Sequence, residues 1–283
     1  MIISKKIVIE IKVIKNIRKV LKNWIDVVKD SIANNFPITL HYRDGKIESA
    51  DSMHELFRLI SEKKYNIRLK SRKGVGDFLA VFISEDYQFL RCRGRLVIDI
   101  GAEVGDSSIY FAMKGANKVV AIEPMPYNFE FLNENIKLNQ LDKIIEPLNI
   151  MIGNQTKRTM IEVSNEPIVR DAIETTQGYG IDEWSLGDLF KKYSTGNSVL
   201  KMDCEGCEYN LVNIDNKLIQ NFERIQIEYH YGLDGLVDKL NDAGFKVKHT
   251  KPVDIYNSDS SNPNMKTGYI YAVRVSPSKF DQK

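Results

Sequence analysis

The 283-residue sequence predicts an α/β protein, a doubly wound and mostly parallel sheet preceded by a small N-terminal α+β extension. Three observations predict it. Leu96-Val-Ile-Asp-Ile100 is a short apolar run, β-branched in part, as in a strand buried on both faces; a glycine turn and a helical segment follow. A second such run, Lys118-Val-Val-Ala-Ile-Glu123, ends in an acid about 20 residues after the turn. Strands and helical segments then alternate to the C-terminus. There Phe245-Lys-Val-Lys248 and Gly268-Tyr-Ile-Tyr-Ala-Val-Arg274 read as a closing hairpin with an antiparallel last strand.

Composition narrows the class without naming a partner. Hydrophobic residues make up 43% and charged residues 28%, ordinary globular values. A net charge of +2 is too small to argue by itself for nucleic acid or a membrane. The 3 cysteines, Cys92, Cys204 and Cys207, suggest no disulfide framework in a chain of this size. No run approaches the roughly 18 apolar residues of a membrane span. Met1-Ile-Ile-Ser-Lys-Lys6 lacks the order of a signal peptide, so the expected compartment is the cytoplasm.

Residues 1–90 form the expected extension, and 91–283 the sheet domain. Between Ile7 and Asn34, Ile17, Val20, Leu21, Trp24, Ile25, Val28 and Ile32 recur at helical spacing with lysines and arginines between them. The pattern is that of an amphipathic helix packed on the domain; its basic face also admits RNA or an anionic membrane. Pro37-Ile-Thr-Leu-His-Tyr-Arg43 alternates as a strand, Asp44-Gly45 marks a hairpin, and Lys46-Ile-Glu-Ser49 returns. Ser52 caps a helix through Ile60, and Phe78–Ser84 and Tyr87–Leu90 read as two more strands.

In the sheet domain, Gly101 and Gly105 punctuate the turn after the first strand. Asp106, Ser107 and Ser108 are N-cap candidates for the helix that follows. Pro126 to Leu138 reads as a helix and Ile144 to Ile152 as the third strand. The stretch from Gly153 to Glu183, with Thr159–Val163 and a Gly178-Tyr-Gly180 turn, reads as an excursion out of the sheet. Ser185 caps a helical segment, Ser198–Asp203 is the fourth strand, Arg224–Tyr229 the fifth, and Leu233–Ala243 a helix ended by Gly244.

Chemistry concentrates at the carboxyl ends of these strands, where open parallel sheets bind ligands. Asp99, Glu123, Asp203 and Glu228 all fall there, and Lys201, Glu205 and Glu208 join them after the fourth strand. Glu123 is placed to accept hydrogen bonds from ribose hydroxyls, because a carboxylate offers acceptors only. Gly101-x-x-x-Gly105 departs from the dinucleotide pattern G-x-G-x-x-G. It resembles instead motif I of class I S-adenosylmethionine (SAM) methyltransferases, with Glu103 at the middle glycine. Cys204-x-x-Cys207 has no second ligand pair for zinc, so no metal is expected and the cysteines read as small residues on a buried turn.

Asp99-Ile-Gly-Ala-Glu-Val-Gly-Asp106, Glu123-Pro124, Leu200-Lys-Met-Asp-Cys-Glu-Gly-Cys-Glu208 and Ile227-Glu-Tyr-His230 together resemble the FkbM family of SAM-dependent methyltransferases, over roughly residues 94 to 249. The resemblance implies a seven-stranded class I methyltransferase sheet, SAM as cofactor, and O-methylation of a hydroxyl on a sugar or other small molecule. It implies cofactor contacts from Asp99, Gly101, Ala102, Glu103, Gly105, Asp106, Ser107, Glu123, Pro124 and Asp203. Glu103 stands where the family often has Asn. A hydroxyl acceptor gains from a general base, and Asp203, Glu205 and His230 are the candidates.

The expected function is thus SAM-dependent O-methylation of a small-molecule or glycan hydroxyl. Two alternatives stand beside it. One is an RNA-modifying methyltransferase with the extension as its RNA-binding module, although no aromatic-and-basic RNA motif is visible there. The other is a non-enzymatic scaffold, with the extension making a homodimer.

Overall fold

The computed structural model describes residues 2–72, 74–154, 157–162, 173–174, 179–254 and 265–275. Thr159–Glu162 therefore falls within it, whereas Val163 and Gly178 of the expected excursion lie outside the described residues. In chain order the helices and strands are α1 (Ile2–Val20), α2 (Trp24–Ala33), β1 (Ile38–His41), β2 (Ile47–Ala50), α3 (Met53–Tyr65), β3 (Leu96–Ile100), α4 (Asp106–Met113), β4 (Lys118–Ile122), α5 (Pro126–Leu138), β5 (Ile145–Leu148), β6 (Ile150–Gly153), β7 (Lys157–Glu162), β8 (Ile173–Glu174), β9 (Tyr179–Ser185), α6 (Leu186–Tyr193), β10 (Ser198–Met202), α7 (Asn216–Ile219), β11 (Phe222–Tyr229), α8 (Leu236–Asp242), β12 (Phe245–His249), β13 (Val253–Asp254) and β14 (Lys266–Arg274).

The main sheet runs β12-β14-β11-β10-β3-β4-β5, with β13 paired onto β14. Its pairs from β11 through β10, β3 and β4 to β5 are parallel, and β14 is antiparallel to both β11 and β12. This is the doubly wound sheet with an antiparallel last strand that the sequence predicts. Chain order reverses between β3 and β10, so the crevice at their carboxyl ends is the place for a ligand.

Both faces of the central strands are apolar, and the two-residue period assigns alternate side chains to different cores. Val97, Val119, Ala121 and Val199 pack under α4, α5 and the extension, in one core with Ile17, Leu21, Leu40, Leu56, Ile60 and Phe82. Ile98, Ile100, Val120, Ile122, Leu200 and Met202 face the other way, onto α6, β11 and α8. The extension is thus built onto one face of the sheet.

Several elements differ from the reading of the sequence. Phe78–Ser84 and Tyr87–Leu90 are not strands: Leu79–Ser84 is a wide helical turn and Asp86–Leu90 a tight one. Phe78, Val81, Phe82 and Ile83 are all buried, and an apolar run covered on every side has no alternation to tell strand from helix. The N-terminal amphipathic stretch is two helices, not one. It breaks at Leu21–Asn23, where Lys22 N–H donates to the His41 carbonyl and Asn23 Oδ1 accepts from His41 N–H. The expected third strand divides at Asn149, whose Nδ2 donates to the carbonyls of Glu123 and Pro124. β6 thereby leaves the main sheet for a second one of order β6-β9-β7-β8.

Candidate active site

The turn after β3 is shaped by what a side chain would strike. Gly101 has φ +79°, and a Cβ there would lie 1.7 Å from the Asp203 carbonyl oxygen. Gly105 has φ +89°, and its Cβ would lie 2.6 Å from Leu132 Cδ1. The turn therefore presses against the end of β10 on one side and α5 on the other. Asp99 lies beneath it with no exposure, its Oδ2 accepting from the hydroxyls of Ser107 at 2.7 Å and Ser108 at 2.6 Å. Lys201 Nζ stands 3.2 Å from Asp99 Oδ1. Burial alone would lower the Lys201 pKa, but Asp99, Asp203 and Asp106 more than offset that and raise it. A buried ammonium held by aspartates thus pins the turn from below.

Glu123 ends β4 and is 4% exposed. Its Oε1 accepts from Met125 N–H at 2.8 Å, and its Oε2 from Glu103 N–H at 2.9 Å. The Asn128 side chain also bonds to this carboxylate, which leaves acceptor capacity for one ligand hydroxyl. Burial pushes its pKa up to about 7, with those N–H groups acting the other way. Glu103 adopts φ +47°, and its carboxylate accepts from Gly76 N–H at 3.1 Å. Asp106 accepts from Asp77 N–H at 2.8 Å. Burial and the nearby Glu103 raise the Asp106 pKa to about 8. The acids in the turn are thus spoken for by the extension.

A cavity of about 320 Å³ opens over this turn. It brings together Gly101, Glu103, Asp106, Ser107, Glu123, Pro124, Asp203, Glu205 and His230. Three expected cofactor residues do not line it: Asp99, Ala102 and Gly105 build the turn from behind. The reading of the sequence missed the wall supplied by the extension, namely Arg72, Val75, Asp77, Val81 and Tyr87. The Gly74-x-Gly76 punctuation before an apolar run was the available signal. Tyr269 also lines the cavity, beside Glu228, across the β11–β14 register.

The loop after β10 builds the far wall. Glu208 is fully buried; its Oε2 accepts from Gly206 N–H at 2.9 Å and its Oε1 from His230 N–H at 3.1 Å. His230 Nδ1 lies 3.0 Å from the same Oε1. The opposite ring nitrogen, Nε2, faces Glu205 Oε2 at 3.4 Å and Asp203 Oδ1 at 3.7 Å. Burial alone would lower the His230 pKa, but the Glu208 hydrogen bond and the charges of Glu205, Glu208 and Asp203 raise it to about 9. His230 thus loses the near-neutral pKa that recommended it as a base. Burial and Asp203 push Glu228 up to about 7. Cys204 and Cys207 also differ from expectation. They are half-buried rather than buried, and their sulfurs are bonded to each other across a turn that brings the Cα atoms to 5.5 Å.

The site fits the cofactor expected of it. The glycine cradle lets backbone approach a ligand, Glu123 keeps acceptor capacity toward the cavity, and Asp77, Glu103, Asp203 and Glu205 in the lining suit a sulfonium cation.

Comparison with known proteins agrees. Residues 87–182 match the TRM5/TYW2 methyltransferase domain. The tRNA(Phe) (4-demethylwyosine(37)-C(7)) aminocarboxypropyltransferase of Pyrococcus horikoshii is 44% identical over 55 residues, 19% of this chain and 20% of that protein. The chain thus spans about a fifth of that relative. Uncharacterized protein 158B of Sulfolobus islandicus rod-shaped virus 1 is 27% identical over 154 residues, 54% of this chain and 72% of that one. Among solved structures, a METTL16 MTase domain superposes with TM-score 0.49 at 13% identity, covering 92% of this chain and 98% of that one. Trm5b from Pyrococcus abyssi gives TM-score 0.40 at 17% identity, covering 84% and 56%. The domain match is to TRM5/TYW2 and not to the FkbM family. Sheet, turn and domain match together show that the chain carries a class I methyltransferase domain whose cofactor is SAM.

Proposed function

We propose that the protein is a SAM-dependent enzyme that modifies a nucleoside of RNA. The observation that carries this reading is the TRM5/TYW2 domain match over residues 87–182, which takes in both the glycine turn and Glu123. The extension's wall of the cavity supports it. Ile67 and Leu69 are buried while Arg68 and Lys70 are exposed, so the run leading in sequence to Arg72 carries cations on its outer side, with Lys70 paired to Glu134 at 3.1 Å. The Arg72 guanidinium lies 5.1 Å from the centre of the Tyr127 ring, and both residues line the cavity. An arginine plane and an aromatic ring are the surfaces on which an unstacked base rests.

When bound, SAM supplies an alkyl carbon already activated on its sulfonium, so the protein's task is largely positioning. In this reading Glu123 accepts from a ribose hydroxyl. Asp203 and Glu205, in the loop beside the cofactor turn, orient the acceptor, and Tyr87 and Tyr269 exclude water from the space between.

A second reading keeps the small-molecule acceptor. The domain match ends at residue 182, before the loop from Lys201 to Glu208. That loop keeps the L-K-x-D-x-E-G-x-E pattern of FkbM-like O-methyltransferases, and its carboxylates repel a phosphate backbone.

Incubation with SAM labelled at the methyl group, or separately at the carboxyl carbon, tests both. Methyl label is expected in purified tRNA or total RNA, on a nucleoside released by digestion. Carboxyl label there would mean that the aminocarboxypropyl group is transferred instead. Label found only in glycan or small-molecule fractions would overturn the RNA reading and leave the second.

A further inference from the structure

We propose that Asp203, Glu205 and His230 form a binding site for one divalent metal ion of the Mn²⁺ or Zn²⁺ kind, at the acceptor wall of the cavity. One oxygen from each carboxylate and one ring nitrogen lie within 4.8 Å of one another, and all three residues line the cavity. One imidazole and two carboxylates make a mixed nitrogen and oxygen set of the kind such ions take.

Three observations carry the assignment beyond a chance cluster. The first concerns the histidine, which is 4% exposed and so is not a surface residue that wandered near acids. The fully buried Glu208 sits 3.0 Å from Nδ1, which fixes the ring and places a proton on that nitrogen. Nε2 is then aimed at the two carboxylates, and a metal ion bound there takes the place of its proton, which leaves to solvent. A carboxylate behind the histidine is the arrangement usual for metal-bound imidazole.

The second observation is the spacing. Nε2 faces the two oxygens at 3.4 and 3.7 Å. A direct charge-assisted hydrogen bond would be about 2.7–2.9 Å. Ligand bonds of about 2.0–2.2 Å place neighbouring donors about 3.3–3.6 Å apart around a tetrahedral ion. The gaps are longer than a direct charge-assisted hydrogen bond and close to the donor spacing around an ion.

The third observation is the charge. Asp203 and Glu205 stand near Glu208 and Glu228, with the ammonium of Lys201 4.0 Å from Asp203 Oδ2 and His230 Nε2 facing Asp203 Oδ1. A divalent ion in place of the His230 Nε2 proton adds one further positive charge among these carboxylates, beyond what Lys201 and His230 supply. With three protein ligands the ion keeps open positions toward the cavity. Those positions suit an acceptor oxygen or a phosphate oxygen, so the ion would let an acidic wall hold an anionic acceptor. The assignment rests on this chain's own side chains and does not depend on which acceptor is used.

Mn²⁺ provides the probe. Titration of the full chain, stripped with chelator, is followed by calorimetry and by electron spin echo of bound Mn²⁺, with S-adenosylhomocysteine binding measured on the same samples. One Mn²⁺ per chain is expected, with nitrogen modulation from a directly bound imidazole. His230→Gln should abolish that modulation, and Asp203→Asn should weaken Mn²⁺ binding at least tenfold. His230→Gln should keep S-adenosylhomocysteine affinity within a few-fold, which shows that the fold and the cofactor reading stand. Absence of Mn²⁺ binding at about 1 mM would overturn the proposal, as would binding without nitrogen modulation that His230→Gln leaves unchanged.

Discussion

Glu123 shows how one side chain serves fold and ligand together. Its two oxygens hold the turns after β3 and β4, through Glu103 N–H and Met125 N–H, and still face the cavity. Glu123→Ala removes hydrogen bonds to a charged acceptor, at a cost of about 1.5–3 kcal/mol. That is about ten- to hundredfold in S-adenosylhomocysteine affinity, readable by calorimetry. Because burial raises its pKa to about 7, the free protein carries Glu123 protonated below that pH. A protonated carboxyl has lost acceptor capacity toward ribose hydroxyls. Affinity is therefore expected to fall as pH drops through about 7, approaching tenfold per pH unit below it, and Glu123→Gln should flatten that profile. An unchanged slope in the Gln variant would assign the proton to another group. The sign for stability is opposite. A raised carboxylate pKa means that the folded state holds more protons than the unfolded one, so this group's contribution declines as pH rises from the ordinary carboxylate range to about 7.

Between elements, Glu85 is the clasp. It sits in the left-handed region at φ +53°, between the two helical turns that the sequence suggested were strands. Its Oε1 accepts from Lys64 Nζ at 2.9 Å and Tyr65 Oη at 2.7 Å on α3, and from Lys114 Nζ at 3.2 Å at the end of α4. Extension and sheet domain thus meet on one carboxylate. Burial alone would raise its pKa, but the Tyr65 and Lys64 hydrogen bonds and the lysine charges hold it near 2. Its contribution is therefore complete above the ordinary carboxylate pKa and is lost as pH falls toward 2. Glu85→Ala leaves Lys64, whose side chain is 13% exposed, without that partner. Denaturant unfolding near neutral pH should show a loss of about 2–4 kcal/mol, shrinking as pH is lowered toward 2. A loss under about 0.5 kcal/mol would mean that the clasp is ornamental. Nothing in the sequence announces Glu85, because a hub is made by residues distant in the chain. Local chemistry was legible in part: Ser52 accepts from Glu55 N–H, and Ser185 from Asp188 N–H, as those two caps require, whereas Asp106, Ser107 and Ser108 lie inside α4 behind Gly105 and none is its N-cap.

Across the whole molecule, the sheet was legible because its strands are buried on both faces and end in ligand-side acids, a pattern carried within each short run. The convergence of the candidate site residues was legible for the same reason: Gly101, Glu123, Asp203, Glu205 and His230 all follow strand ends of one sheet edge and line one cavity. What escaped was the wall from the extension, since no local pattern tells that Gly76 N–H will meet Glu103 or that Asp77 N–H will meet Asp106. Those bonds bear on whether the chain behaves as one unit or two. The sequence reading divides it near residue 90, yet one hydrophobic core runs from Ile17 and Leu40 in the extension to Val97, Val119 and Val199 in the sheet. A core shared in this way leaves neither part able to bury its apolar face alone. We therefore expect a single cooperative transition, and the two tryptophans report on it separately. Trp24 lies in the extension and packs on that core, whereas Trp184 lies in β9 and packs on the opposite one. Trp24→Phe and Trp184→Phe leave one fluorescent reporter each. After correction for the stability cost of each substitution, their denaturant curves should coincide with one another and with circular dichroism. Loss of the Trp24 signal at lower denaturant, with the Trp184 signal still native, would show that the extension is a separate domain and that its contacts with the glycine turn form on docking.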